Sequence, residues 1–496
     1  MSDLPPQLQP DIAVQDAVHG RIWLTRLERH VVNTAEFQRL RSIGQLGLGR
    51  YVFPSADHSR FVHSLGATHV MGWMLRQKPL QDYFAERVGM IQCLRLAALL
   101  HDIGHYPFSH LGENAWGAAA LGAIELYAGS AADRSIYDAA AEVAHEPATS
   151  HEALSTKIIL GSCIHEIIDD AIPEIDGRQP SEVVASIIDG SYPDLVCQNL
   201  VSSDLDCDRL DYLVRDSVVA GLTYGLVDLA YLVENLQVAE HEEHGPMLAI
   251  DKAHGSQAVE HFILARYYHY AQFITHKTIV SAELILAAAI LEMIRLEKLP
   301  NASEVTQMVG SERYHSFTDA AVWVGLGQAL TENWASPDLR EAATRLFHRD
   351  LLKIAYDIEQ LEEEETSLAG DRLDHLFDRP SRKVDSANRA GVDPDRICYK
   401  RGVLALVGIA GKVAPTAAVE ETERLRLRWV KSVKVSEPAG VPELLVEQTG
   451  LLRELSLRRW VTRRLFVREE SRRAEKSNRP TCDRLNEFVR QELTTT

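Results

Sequence analysis

The chain has 496 residues, 46% hydrophobic and 25% charged, ordinary globular values that exclude a mostly disordered or fibrous protein. A formal net charge of −19 repels polyanions, which argues against a nucleic-acid partner and for a small phosphorylated substrate in a focused pocket. Six scattered cysteines form no CxxC pair, so neither a zinc knuckle nor a disulfide framework is expected, and a reducing cytoplasm fits.

The opening MSDLPPQLQPDIAV has no basic stretch followed by an apolar core. From about Leu24 to Ile294 apolar residues return at three and four positions, which predicts a mainly α first part. An Ala- and Gly-rich insertion at about 115–145 interrupts it, and GPMLAIDKAHG, Gly245 to Gly255, reads as a short hairpin. The most apolar segment, Ser281 to Ile294, is broken by Glu283 and Glu292, so no membrane span is expected.

After Pro300 the character changes: an acidic helix is expected at Glu359 to Glu365, strands within Arg396 to Val413, and a strand pair from Leu425 to Val446. The basic stretch LRRWVTRRLFVREESRRAEKSNRP reads as a solvated helix or a subunit contact, since Glu469, Glu470 and Glu475 dilute its charge. Two units follow, a catalytic one over residues 1–300 and an α+β one over 301–496 for oligomerisation or regulation.

The chemistry concentrates in LRLAALLHDIGHYPFSH. His101 and Asp102 stand side by side after an apolar helical run, and Gly104 and Pro107 end that helix. An isolated His-Asp pair is a polar helix end more often than a site. Here SRFVHSLGATH adds His63 upstream and DLDCDRLDYLVRD adds Asp208 downstream, and four ligands in the order H…HD…D are specific. Imidazole and carboxylate together suit Fe, Mn or Zn, and a site with open positions can activate water at neutral pH.

His105 falls on the same helical face as His101, His110 follows the turn, and His151 with Glu152 comes after the insertion; each is a candidate proton donor or phosphate partner. Arg60 precedes His63 by three residues, and Arg209, Tyr212, Arg215 and Asp216 follow Asp208. Arg266, Tyr270 and Lys277 recur at helical spacing and could clamp a polyphosphate. The competing reading of Arg215 is an ion pair with Asp211 and Asp216.

Four blocks, DAVHGRIWL, EFQRLRSIGQLGLGRYVFPSADHSRFVHSLG, LLHDIGHYPFSHLGE and SSDLDCDRLDYLVRDSVVAG, resemble the HD-domain deoxynucleoside triphosphate triphosphohydrolases over roughly Asp16 to Gly221. The resemblance implies an HD-domain helical core with a smaller α+β C-terminal region. It also implies cleavage of a dNTP to deoxynucleoside and inorganic triphosphate, with Mg or Mn accompanying the substrate phosphates. By position, His110 resembles the acid that protonates the leaving 5′ oxygen, with His151 and Glu152 nearby. Arg60, Arg209, Tyr212 and Arg266 resemble triphosphate contacts, Asp216 a sugar contact, and Gln45 and Leu46 the residues beside base and sugar. Asn33 stands where regulated members carry an acidic residue that reads guanine, which argues against guanine-specific activation. Gln38 and Arg41 match that region and leave a nucleotide activator, and assembly as a homo-oligomer, open.

Two other readings compete. One keeps the metal but acts on another nucleotide or a single-stranded nucleic-acid end, with the basic C-terminal stretch as its local support. The other is a non-catalytic nucleotide-binding regulator.

Overall fold

The computed structural model describes residues 5–121, 149–363, 368–377, 379–405, 431–437, 440–456, 458–469 and 480–494. Two antiparallel strands open it, β1 (Pro10–Asp16) and β2 (Gly20–Thr25), with Val14 opposite Ile22. Helix α1 (Arg26–Val32) follows at once because Thr25 and Glu28 form a reciprocal capping box. The Glu28 N–H donates to Thr25 Oγ1 at 3.2 Å, and the Thr25 N–H to Glu28 Oε2 at 2.8 Å.

The catalytic candidates ride on α2 (Arg60–Met74), α3 (Val88–Leu100), α4 (His110–Ala120), α5 (His151–Gly161) and α6 (Cys207–Ala220). Helix α3 buries Met90, Cys93, Leu94, Leu96, Ala97, Leu99 and Leu100, so it is apolar nearly all round and takes the centre of the core. Helix α2 packs against both α3 and α6, which brings three distant stretches of sequence to one place. Asp206 caps α6 by accepting from the Arg209 N–H at 2.8 Å, and Gly221 closes it in the left-handed conformation at φ 71°.

A hairpin of β3 (Leu236–His241) and β4 (Gly245–Asp251) leads to α7 (Ser256–His269) and the long α8 (Lys277–Arg295). The hairpin anticipated within Gly245 to Gly255 is thus its second strand; the first, LQVAEH, is too polar in part to stand out. Helices between 302 and 347 pack into the same core as α8.

A second core gathers Ala355, Leu373, Phe377, Leu465, Leu485 and Val489. It lies on a sheet ordered β5 (Lys353–Glu363), β9 (Arg458–Val467), β6 (Ile397–Ala405), all antiparallel, flanked by α9 (Leu368–Phe377) and α10 (Pro480–Thr494). Two short strands, β7 (Lys434–Ser436) and β8 (Glu443–Leu444), extend the hairpin sheet, β7 parallel to β4. The fold is mainly α, with small sheets and a smaller α+β region, as the sequence leads one to expect.

Three local expectations are corrected. Through Glu363 the acidic segment is strand β5 rather than helix, because its partner β9 is the basic stretch: Asp357 lies opposite Arg464 in the register. The part of the basic stretch over Arg458–Val467 is in turn the central strand, not a solvated helix; 470–479 lie outside the described residues. Arg463 is fully buried and bound by Glu362 and Asp374, and Arg464 is bound by Asp357 and Glu359. Lys277 leaves the face of Arg266 and Tyr270, because Tyr270–Ile274 forms a π-turn and Lys277 starts α8. Most of the insertion at about 115–145 lies outside the described residues; Ala115 to Ala120 are the end of α4. The strand pair expected within Leu425 to Val446 is β7 with β8, antiparallel, while 425–430 and 438–439 lie outside the described residues.

Helix α8 carries a testable charge. Burial pushes the Glu283 carboxyl up to about 7, against the opposing charge of Lys400. A carboxyl whose folded pKa is raised keeps a proton that the unfolded chain has lost, so it costs stability as pH rises from 4.5 through about 7. Glu283→Gln should therefore match the parent near pH 5 in denaturant titrations and exceed it by ~1–3 kcal/mol near pH 9. A difference that does not change with pH contradicts this.

Candidate metal and active site

His63 on α2, His101 and Asp102 just after α3, and Asp208 on the first turn of α6 converge. His63 Nε2 lies 3.2 Å from His101 Nε2, 3.0 Å from Asp208 Oδ1 and 3.5 Å from Asp102 Oδ2. His101 Nε2 lies 3.4 Å from Asp102 Oδ1 and 3.6 Å from Asp208 Oδ1.

Both imidazoles have their far nitrogen committed. His63 Nδ1 is 2.8 Å from Asp211 Oδ2, and His101 Nδ1 is 2.9 Å from the Ala98 carbonyl. Those bonds fix the Nδ1–H tautomers and leave two Nε2 lone pairs facing two carboxylates, a donor set that fits a divalent cation. Charge agrees: burial alone would depress the His63 imidazole, yet Asp208, Asp211 and Asp102 push it up to about 10. The site seeks positive charge, which protons or a metal ion can supply.

A second group adjoins the first. His105 Nε2 is 3.1 Å from Asp102 Oδ1, though out of hydrogen-bonding alignment, and burial with Arg60 and His151 nearby holds the ring neutral. Its ring stacks on His151 at 4.0 Å and meets His110 edge-on at 4.9 Å. Glu113, buried, binds both: its Oε2 is 3.0 Å from His110 Nδ1 and 3.1 Å from His151 Nδ1. Burial alone would raise the Glu113 carboxyl, but His151 and His110 hold it far below the usual range. Glu152 lies 3.4 Å from His151 Nδ1. His110 itself is 64% exposed in its side chain, so its Nε2 can meet a ligand.

The turn before α4 is held under strain. Phe108 and Ser109 both have positive φ, 62° and 58°, in residues that carry side chains. Asp319 accepts from the Phe108 N–H at 2.7 Å, and the Ser109 hydroxyl donates to the Gly44 carbonyl at 2.7 Å. Arg60 donates to Ser109 Oγ at 2.9 Å and to Asp102 Oδ2 at 2.6 Å, tying this turn to the metal ligands.

Beyond Asp208 stands a cationic and aromatic wall. Arg209 pairs with Asp206, Arg266 with Asp204 at 3.0 Å, and the Arg266 guanidinium lies 6.0 Å from the Tyr270 ring centre. Tyr212 sits among Tyr270, Arg266, Arg209 and Asp208, while burial raises its phenol well above the usual range. Asp216 is buried between His58 and His269, each at 3.0 Å. Gln45 is buried with no partner for Oε1 among the described residues, and Leu46 beside it is half-buried. Arg215 is a structural cation, bound by Asp211 and Asp16.

An HD-domain family profile matches residues 60–172. The chain carries an HD domain. Similar proteins include an uncharacterized protein of Methanocaldococcus jannaschii, 29% identical over 291 residues, 58% of this chain and 51% of that one. Human deoxynucleoside triphosphate triphosphohydrolase SAMHD1 is 45% identical over 101 residues, 20% of this chain and 16% of that one. A hypothetical protein from Aquifex aeolicus shares the fold, with a TM-score of 0.64 at 20% identity over 96% of this chain and 99% of that one. The chain spans about half the length of the first curated relatives that it matches. No helix of the described residues is long and apolar enough to cross a membrane.

Around the HD residues, sequence reasoning passed over Glu113, His19, His58, His269 and Asp319, and took Asp211 only as an ion-pair partner. Glu113 had a visible signal, since it stands three residues after His110 on one helical face. The others reach the site across the chain and had none.

Among the described residues, two His and carboxylate groups could each hold a metal ion: His63 with His101 and Asp208, and His105 with His110, Glu113 and His151. The first has its outer nitrogens fixed and its inner ones free; the second spends two Nδ1 atoms on one carboxylate. Metal analysis of the dialysed protein should therefore find a divalent ion that Asp208→Asn and His101→Ala release and His110→Ala does not. The reverse pattern would place the ion in the second group.

Proposed function

We propose that this protein is a metal-dependent hydrolase that cleaves deoxynucleoside triphosphates to deoxynucleoside and inorganic triphosphate. The observation that carries the reading is continuity: Asp102 touches His105, which stacks on His151, which shares Glu113 with the exposed His110. A metal set and a proton donor thus share one site. The similarity to deoxynucleoside triphosphate triphosphohydrolases supports the substrate class.

His63, His101, Asp102 and Asp208 would hold the ion, which when bound activates water and polarises the phosphoryl group. His110 Nε2 gives its proton to the leaving 5′ oxygen, while Glu113 holds the opposite nitrogen. Arg209, Arg266, Tyr212 and Tyr270 bind the phosphates, and Arg60 keeps Asp102 and the strained turn in register. Asp216, fixed by His58 and His269, takes the sugar, with Gln45 and Leu46 beside base and sugar. The second core, from Ala355 to Val489, is the candidate region for oligomerisation or regulation.

Action on a nucleic-acid end loses part of its local support, because Arg463 and Arg464 of the basic stretch are spent inside a sheet rather than displayed. The test is direct. Protein loaded with Mn²⁺ and given single dNTPs should release triphosphate and deoxynucleoside, identified by mass; pyrophosphate or single phosphates as products would overturn the assignment.

A further inference from the structure

A separate cavity lies where β1, β2, the end of α2 and the start of α3 meet. It has a volume of about 430 Å³, in the range of small-molecule sites. Leu8, Leu24, Leu75, Phe84, Val88 and Ile91 make most of its wall apolar. One end is different. A Cβ built on Gly72 would lie 2.0 Å from Arg95 Nη1 and 3.5 Å from Arg76 Nη1, so two guanidinium groups converge over the bare backbone of this glycine.

Their charges are not balanced. Glu28 binds Arg95 through Nε at 2.5 Å and Nη2 at 2.9 Å, which leaves Nη1 toward the glycine. The Arg76 side chain has no hydrogen-bond or ion-pair partner among the described residues; the residue is exposed on its outer side, and partial burial, then Arg95, lowers its guanidinium. Two cations therefore share one carboxylate at the end of an apolar chamber. His69, also in the lining, is pushed down to about 4 by burial and then by His19, Arg76 and Arg95, so it stands neutral beside them. What the chamber lacks is an anion.

We propose that this cavity binds an amphiphilic anion, its carboxylate or phosphate head between Arg76 and Arg95 over Gly72 and its apolar tail along Phe84, Val88 and Ile91. A nucleotide fits worse. Thr25 Oγ1 in the lining already serves the α1 cap, and the apolar walls offer little to pair with a base or sugar edge.

The test is calorimetric titration of the full-length, metal-loaded protein with decanoate, decyl phosphate, decanol, inorganic phosphate and dAMP. One decanoate or decyl phosphate should bind per chain, at least about tenfold more tightly than decanol, inorganic phosphate or dAMP, and the tighter of the two names the head group. Arg76→Gln, at an exposed position where the thermal midpoint should hold, should weaken the anions about tenfold and leave decanol unchanged. Val88→Trp should block the tail and weaken all three amphiphiles. Equal binding of decanol and decanoate, indifference to Arg76→Gln, many ligands per chain, or preference for dAMP would each overturn the proposal.

Discussion

An Asp211→Ala protein is expected to lose about 3–5 kcal/mol of folding stability and to hold its metal about 10–100-fold more weakly. Asp211 is fully buried and serves three partners. His19 Nε2 lies 2.6 Å from Oδ1, His63 Nδ1 2.8 Å from Oδ2, and Arg215 donates to both oxygens at 2.8 and 3.0 Å. The space for this cluster comes from Gly66 on α2. A Cβ there would fall 2.0 Å from Asp211 Oδ1 and 2.3 Å from Arg215 Nη2, so the helices cross with the ion pair in the gap.

Removing the carboxylate leaves Arg215 on Asp16 alone and His63 with nothing to set its tautomer. Asp211→Asn keeps the volume and one acceptor, and should lose less on both counts. The pH dependence has a definite sign. Burial alone would raise Asp211, but Arg215, His19 and His63 hold it well below 3.8. Its contribution is present above that value and is lost on acidification, so the gap between parent and Asp211→Ala should narrow below about pH 4. Denaturant titrations of metal-free protein at two pH values, with metal analysis, read all three effects. A loss under about 1 kcal/mol at neutral pH would mean that the pair is dispensable.

This cluster marks the limit of what the sequence makes legible. The metal quartet could be read because its order and residue types are unusual together, and because α3 is apolar enough to show where His101 must sit. Asp211 repeats at helical spacing from Asp208 and was visible, but its use was not. The choice between tying Arg215 and orienting His63 depends on α2 crossing α6, a tertiary fact. Arg215 finds Asp16 in the opening strand, 199 residues away, and no local pattern announces such a partner. The same applies to β5 and β9. Each segment alone reads as a charged helix, and each becomes a strand because the other carries opposite charge. At Tyr270 the helical period failed for a smaller reason, one π-turn that rotates everything after it.

The other large effect concerns the proton. His110→Ala should lower kcat by about 10²–10⁴ on a dNTP while metal content and thermal midpoint stay near those of the parent. His110 is the exposed member of the histidine group, it opens α4 after the strained Phe108–Ser109 turn, and its Nδ1 is held by Glu113. Glu113 acts through the histidines, so Glu113→Gln tests positioning rather than proton transfer. It keeps an oxygen for one Nδ1–H but cannot serve two imidazoles as a carboxylate does, and it should shift the pH profile as well as lower the rate.

A leaving group that needs no proton separates the two roles. With a triphosphate ester whose deoxynucleoside is replaced by a phenol of low pKa, His110→Ala should recover most of its loss, because protonation of the leaving oxygen is then no longer required. Variants of Arg209 and Arg266 should not recover, since phosphate binding is still needed. If His110→Ala stays equally slow on both substrates, the histidine binds or shapes the site, and the proton must come from His151 or from water.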